Sequence, residues 1–218
     1  MASKHSIEAL RKNYLSPSMS LSYDEPLHIV RGQAQYLFDK DGKKYLDAVN
    51  NIQHVGHCHP KIIEAGISQS KQLNINTRYL DQTIVNYAEA LIKKLPPDLD
   101  TCFFTNSGSE SNDLALRLAR NYLKNKETIV LDGAYHGHLI SLIEISPYKY
   151  KGPGGSGCPD YVHSIAMPDK FRGKYRGKDS GIRYANEIKD MALKIKRDSG
   201  CAPTFIAESI MGCGGQIT

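Results

Sequence analysis

The sequence has no tryptophan, few aromatic residues and no long apolar run. A membrane-spanning helix needs roughly 18 or more consecutive apolar residues, and the longest candidates, such as residues 139–145, are interrupted by polar side chains. We therefore expect that the chain does not cross a membrane. The five cysteines are odd in number and form no Cys-x-x-Cys pair, which favours free thiols in a reducing compartment.

Several motifs of common function classes are also missing. No Gly-x-Ser-x-Gly elbow or Walker loop is present, and no Gly-x-Gly-x-x-Gly motif follows a predicted strand, so hydrolase and nucleotide-binding functions lack their usual support. The net charge is +5, and the basic residues are densest between Lys170 and Arg183. No finger or helix-turn-helix spacing accompanies them, so this stretch indicates a solvated, glycine-rich loop, and we expect no nucleic-acid partner.

Histidine and cysteine, the usual ligands of soft metals, cluster in two places. The residues concerned are His54, His57, Cys58, His59, His136 and His138. Pro60 follows the first cluster directly, and no group of cysteines or carboxylates completes a familiar ligand spacing. We therefore expect no metal site.

What the sequence does contain is an ordinary globular composition, with 40% hydrophobic and 23% charged residues among 218. For residues 1–50 the sequence predicts irregular chain followed by a hairpin. Residues 36–38 and 45–46 are β-prone, and an Asp41-Gly42 pair favours a tight turn between them. We predict an amino-terminal segment over residues 1–50 and a large domain over residues 51–218.

After residue 60 the pattern alternates between helical and extended runs. Apolar spacing predicts helices at residues 84–95, 114–122 and 182–195, and short apolar runs predict strands at residues 101–105, 128–131 and 204–207. Residues 151–159 are rich in glycine and proline and indicate a long irregular loop. Alternation of this kind is typical of an α/β fold with a mainly parallel sheet covered by helices.

Ligands of open α/β sheets gather where strands end, and the first such place is a tight loop before a helix. Gly108 and Ser109 stand at the predicted helix start, where free backbone N–H groups, the helix dipole and a hydroxyl favour a phosphate. Ser107 and Glu110 also have the spacing of a capping box, which would use the same N–H groups internally. Local pattern leaves both interpretations open.

Two further strand ends carry candidate side chains. Tyr135 and His136 follow the strand at residues 128–131, between glycines that allow close backbone approach, and could contact a planar cofactor. The alternative is a loop whose tyrosine covers apolar surface. Glu208 follows the last predicted strand and could orient a charged ring or a base, although a carboxylate here could also pair with a nearby cation.

Read together, these segments resemble class III aminotransferases, the pyridoxal 5'-phosphate (PLP) enzymes of fold type I. The resemblance rests on residues 105–120 (TNSGSESNDLALRLAR), 131–138 (LDGAYHGH) and 207–209 (AES) with the later Gly214-Gly215. It extends over nearly the whole chain. Four further segments resemble the branch of phospho-lyases that act on ethanolamine phosphate and phosphohydroxylysine: residues 50–60 (NNIQHVGHCHP), 76–80 (NTRYL), 141–149 (SLIEISPYK) and 172–176 (RGKYR).

The resemblance implies a role for each candidate residue. Gly108 and Ser109 would hold the cofactor phosphate, Tyr135 would stack on the pyridine ring, His136 would lie beside it, and Glu208 would line its polar side. It also implies a homodimer and a small phosphorylated amine as substrate, which would yield an aldehyde, ammonia and phosphate. The alternative reaction is amino transfer to glyoxylate or a keto acid.

Two departures from the family pattern qualify these expectations. Ser111 stands where the family commonly has alanine, and the Asp-Glu-Val/Ile-Gln segment and the Schiff-base lysine match no position of this sequence. We therefore interpret the chain as the amino-terminal part of a longer enzyme, inactive by itself. The alternative is a noncatalytic short subunit that binds the full-length enzyme. Family likeness and a basic amino end favour mitochondria, with the cytoplasm as the alternative.

Overall fold

The computed structural model describes residues 4–21, 23–49 and 54–217, with only the backbone of residues 4 and 5. These residues form two compact units, Met1–Ile84 and Val85–Thr218. The domain boundary predicted from the sequence, between residues 50 and 51, lies outside the described residues, so that division stays a prediction.

The first unit contains helices and a small antiparallel sheet. Its elements are α1 (Lys4–Tyr14), β1 (Ile29–Gln33), β2 (Tyr36–Asp39), β3 (Lys44–Leu46) and α2 (Pro60–Gln72), and the strand order is β1-β2-β3. The predicted hairpin is confirmed: Gly42 has φ +82°, and the Asp39 carboxylate accepts from the backbone N–H groups of Asp41 (3.0 Å) and Lys43 (2.9 Å).

The prediction of irregular chain before the hairpin is wrong in two places. Residues 4–14 form α1, in which Ile7, Leu10 and Tyr14 recur at helical spacing, and β1 adds a third strand. The next helix along the chain after α2 is α3 (Gln82–Ile92), which begins beside Asp81, whose carboxylate accepts from the backbone N–H of Thr83 at 2.7 Å. This hydrogen bond lowers the pKa of Asp81.

The second unit alternates helices with a parallel sheet. Its elements after α3 are α4 (Gly108–Leu123), β4 (Thr128–Leu131), α5 (Ile140–Ile143), α6 (Pro147–Tyr150), β5 (Val162–Ile165), α7 (Ser180–Ser199) and β6 (Thr204–Ile206). The strand order is β5-β4-β6, both pairings are parallel, and Thr128 is in register with Val162 and Thr204. The irregular loop over residues 151–159 is confirmed.

Two strand predictions need correction. Residues 101–105 form no strand within the described residues, because an apolar run becomes a strand only when a neighbouring strand pairs with it. The Phe104 ring instead stacks on Tyr87, with ring centroids 5.2 Å apart. The sequence missed β5, whose residues Val162 and Ile165 are buried on either side of His163 and Ser164, because this run is short and half polar.

The core of the second unit lies on both faces of β4, whose residues are all buried. One cluster joins Val130 and Val162 to apolar residues of α4, α5 and α6, and the other joins Ile129 and Ile165 to Ile195 of α7. A parallel sheet with both faces covered in this way is the predicted α/β fold. In the described ranges, no helix has both the length and the apolar character that a membrane span requires.

Candidate cofactor site

The start of α4 keeps part of its hydrogen-bonding capacity free. Ser107, the N-cap, has extended backbone angles and accepts from the Glu110 N–H at 3.1 Å, and the Glu110 carboxylate accepts from the Asn106 N–H at 2.7 Å. The Ser107 half of the predicted capping box is therefore present, whereas the Glu110 carboxylate reaches the N–H of Asn106 and not that of the N-cap Ser107. The Ser107 cap uses the Glu110 N–H, whereas the backbone N–H groups of Gly108 and Ser109 have no hydrogen-bond partner in the part of the chain that the structure describes.

The loop after β4 lies against this helix start. The Ser109 hydroxyl accepts from the His138 N–H at 3.3 Å, and the Asn112 side chain donates to the His136 carbonyl at 2.8 Å. Gly137 makes the approach possible: its φ is +137°, and a Cβ there would lie 2.7 Å from the Ser109 hydroxyl oxygen. Two candidate segments that are far apart in sequence are thus fixed together.

Glu208 connects the same loop to the end of β6. One carboxylate oxygen accepts from the Tyr135 N–H at 3.2 Å, and the other accepts from the Gly212 N–H at 3.1 Å. Within residues 4–21, 23–49 and 54–217, Glu208 forms no ion pair, so the alternative of pairing with a cation finds no support there. Its carboxylate holds the half-buried Tyr135 in place at the strand ends.

His136 is buried, with 4% of its surface exposed. Its backbone N–H donates to the Ser146 hydroxyl (2.9 Å), which donates to the Leu142 carbonyl (2.6 Å). The ring Nε2 is buried and has no hydrogen-bond partner among the described residues. Burial lowers the pKa of His136, and the negative charge of Glu208 offsets only part of this effect, so the imidazole stays neutral near neutral pH.

The depressed pKa of His136 predicts that the free energy of unfolding depends on pH. In the unfolded state the imidazole takes up a proton near its ordinary pKa of 6.5, whereas in the folded state it takes up a proton only at lower pH. Stability from this group is therefore present above about pH 6.5 and is lost as pH falls, by at most about 1.4 kcal/mol per pH unit. We expect the free energy of unfolding of His136→Gln, measured in urea, to depend less on pH in this window than that of the wild type.

His54→Gln, at an exposed histidine, is the control, and its free energy of unfolding should depend on pH as steeply as that of the wild type. Parallel pH profiles for the wild type and His136→Gln would contradict the assignment.

The residues present fit a planar, phosphorylated cofactor. Gly108 and Ser109 offer two free N–H groups and a hydroxyl. Apart from the adjacent residues and the backbone of α4, no atom of the described residues lies within 4 Å of the position that a Gly108 Cβ would take, so an anion can approach. Tyr135, in the loop that contacts this helix start through His136 and His138, offers a half-buried aromatic ring. The unpartnered Nε2 of His136 is a buried polar atom of the kind that a bound group satisfies.

The sequence analysis did not predict Asn112 and Ser146, two residues that hold the loop after β4 in position. Asn112 lies three residues after Ser109 on one helix face, and only this spacing could have indicated it. No signal in the sequence indicated Ser146.

Known proteins are similar to this chain over most of its length. Residues 19–218 match the family model described as Aminotransferase class-III. The chain is 49% identical over 215 residues to the Drosophila melanogaster protein named alanine–glyoxylate aminotransferase 2-like, covering 95% of this chain and 43% of that protein. It is 39% identical to the Caenorhabditis elegans protein named ethanolamine-phosphate phospho-lyase homolog 1, covering 99% of this chain and 48% of that protein.

Solved structures agree in fold. A phospholyase from Arthrobacter, in complex with phosphoethanolamine, superposes with a TM-score of 0.84 at 32% identity, over 97% of this chain and 50% of the other. Taurine:2-oxoglutarate aminotransferase from Bifidobacterium kashiwanohense, in complex with PLP and glutamate, gives 0.82 at 23% identity, which shows the fold alone. The chain spans about half the length of these relatives. The predicted fold type I and the predicted cofactor of the family, PLP, are confirmed, and the chain belongs to the class III aminotransferases.

Proposed function

We propose that the native protein is a PLP-dependent phospho-lyase that acts on a small phosphorylated amine such as ethanolamine phosphate. The observation that carries the proposal is the likeness to the Arthrobacter phospholyase, which was solved with phosphoethanolamine, at 32% identity over 97% of this chain. The relative from Caenorhabditis elegans is named for the same activity. The proposed reaction converts ethanolamine phosphate and water to acetaldehyde, ammonium and hydrogen phosphate, which balances in atoms and charge.

In such enzymes PLP supplies an electron sink for the amine-bearing carbon, and the protein sets geometry and proton positions. We propose that the free N–H groups of Gly108 and Ser109, with the Ser109 hydroxyl, hold the cofactor phosphate. Tyr135 contacts the pyridine ring, and its backbone is fixed by Glu208 at 3.2 Å. His136 presents a neutral imidazole beside the ring. We further propose that the Schiff-base lysine is supplied by residues outside this chain.

A class III transaminase is the second candidate. It is favoured by the name of the Drosophila melanogaster relative at 49% identity and by the Arabidopsis thaliana relative at 41% identity, named alanine–glyoxylate aminotransferase 2 homolog 2, mitochondrial. The same residues would hold the cofactor in both cases. The two functions differ in their products, because a transaminase releases no phosphate and requires a keto acid.

The experiment that decides is a product assay on the native-length protein loaded with PLP. Ethanolamine phosphate is supplied without any keto acid, and phosphate and acetaldehyde are measured together. We expect equal amounts of both. Amino transfer from alanine to glyoxylate, with no phosphate released from ethanolamine phosphate, would reject the phospho-lyase in favour of the transaminase.

We propose a homodimer in mitochondria as the working form. The family resemblance supports the dimer, and relatives from Arabidopsis thaliana and Homo sapiens carry mitochondrial names. Sedimentation of the native protein and fractionation of cells with an antibody to this region measure the two properties. A monomeric active protein would overturn the proposed homodimer, and a protein confined to the cytoplasm would overturn the proposed mitochondrial location.

A further inference from the structure

A lysine that the cofactor site does not use lies directly beside Tyr135. Lys149 belongs to the single turn α6, in which Pro147 and Tyr150 are buried. This turn is hydrogen-bonded to the loop after β4, because the Tyr148 N–H donates to the Ala134 carbonyl at 3.1 Å. The backbone of Lys149 therefore has a fixed position relative to Tyr135.

The side chain of Lys149 is held by rings and not by an acid. Its ammonium lies 5.6 Å from the centroid of the Tyr135 ring and 5.5 Å from that of Tyr148. In the described segments it forms no ion pair, in contrast to Lys151, which pairs with Asp132 at 2.7 Å. Cation–π contacts orient an ammonium without neutralising it. The positive charge is thus available to an anion.

The positive charge of Lys149 also acts on residues that follow β6. Burial and the negative charge of Glu208 raise the pKa of the Cys213 thiol, and Lys149 acts in the opposite direction, lowering it. The Lys149 ammonium lies 5.6 Å from the Tyr135 ring centroid, and the Glu208 carboxylate accepts from the Tyr135 N–H, so a positive charge from α6 and a negative charge from the end of β6 both lie beside Tyr135.

We propose that the Lys149 ammonium binds the phosphate group of the substrate, an inference that rests on the proposed phospho-lyase function. A lysine is a flexible point charge with three donors, well suited to a phosphate dianion. Tyr135 is the proposed contact of the cofactor ring, and the substrate amine is bound to that cofactor. Only two carbons separate the amine from the phosphate in ethanolamine phosphate, so the phosphate lies near the Tyr135 ring and within reach of Lys149.

The same contact favours elimination. When the proton of the amine-bearing carbon passes to a base of the enzyme, the electron pair it leaves forms a double bond to the neighbouring carbon. The bond between that carbon and the phosphate oxygen breaks, and its electron pair departs with the phosphate. Negative charge grows on that oxygen, and a positive group placed beside it lowers the barrier. A substrate without phosphate gains nothing from Lys149, so this residue would select phosphorylated amines over the amino donors of a transaminase.

The test compares Lys149→Met, Lys149→Arg and the control Lys189→Met, an exposed lysine of α7, in the native-length protein loaded with PLP. The KM for ethanolamine phosphate and the inhibition constant of inorganic phosphate are measured, and the PLP absorbance is titrated to obtain cofactor affinity. For Lys149→Met we expect both constants to rise about 10- to 100-fold, since a charged hydrogen bond is lost, with cofactor affinity unchanged. Lys149→Arg should recover most of the loss, and Lys189→Met should match the wild type.

Failure of this inference is distinguishable from failure of the proposed function. If the wild type releases phosphate and Lys149→Met keeps both constants within about twofold, the phospho-lyase stands and the role of Lys149 is overturned. An equal loss of cofactor affinity would also overturn it, because Lys149 would then act on the site as a whole. If the wild type releases no phosphate, the proposed function fails and the inference fails with it.

Discussion

Replacing Gly137 with alanine is expected to lower the free energy of unfolding by about 3 kcal/mol and to abolish PLP retention. The added Cβ would lie 2.6 Å from Leu142 Cδ1, 2.7 Å from the Ser109 hydroxyl oxygen and 3.2 Å from the Ser109 Cα. The φ of +137° adds backbone strain for any residue other than glycine. Relief of the clash requires the loop to move away from α4, which displaces Tyr135 and His136 together. Urea unfolding and PLP absorbance after gel filtration measure the two effects.

The matched control for Gly137→Ala is Gly181→Ala in the first turn of α7. Among the residues that the structure describes, no atom beyond the adjacent residues and the backbone of α7 lies within 4 Å of the position of its added Cβ, and its φ is not in the left-handed region. Alanine is the better helix former, so we expect equal or slightly higher stability, by up to about 1 kcal/mol. If both variants behaved alike, the close approach of Gly137 to Ser109 would not be the cause of any loss.

Replacing Ser109 with aspartate is expected to weaken PLP binding about 100-fold, or by about 2.7 kcal/mol. The carboxylate would stand at the helix start, where the proposed site receives the cofactor phosphate, and two like charges at close range repel. The fold itself should change little, since an acidic side chain is favourable in the first turn of a helix. Titration of the cofactor-free protein with PLP, followed by absorbance, gives the affinity.

Ser111→Asp places the same charge two residues further along α4. Ser111 is exposed, and its hydroxyl lies 2.5 Å from that of Thr105, on a side chain that takes no part in the proposed site. We expect this variant to bind PLP within about threefold of the wild type. Equal PLP affinity in Ser109→Asp and the wild type would show that the phosphate binds elsewhere.

Local sequence was sufficient for elements whose signal is contained in one segment. The hairpin followed from an Asp-Gly turn between β-prone runs, and α4 and α7 followed from apolar spacing, because each pattern reflects contacts within a few residues or with one face of the core. Strand pairing, in contrast, depends on segments that are far apart in the sequence. Residues 101–105 and β5 have similar lengths, yet only β5 pairs with β4, and no property of either segment alone decides which one does.

The candidate site also combines features that the sequence predicted with contacts that only the tertiary structure decided. The sequence by itself determined the family and the cofactor class, since the motifs that carry the resemblance are local features, and it predicted the candidate residues at the helix start and after the strands. Only the tertiary structure decided how they meet: Glu208 on the Tyr135 backbone, Asn112 on the His136 carbonyl, and Lys149 beside the Tyr135 ring. These contacts join residues 14 to 73 positions apart. Their distances depend on how the chain packs around β4, which no single segment encodes.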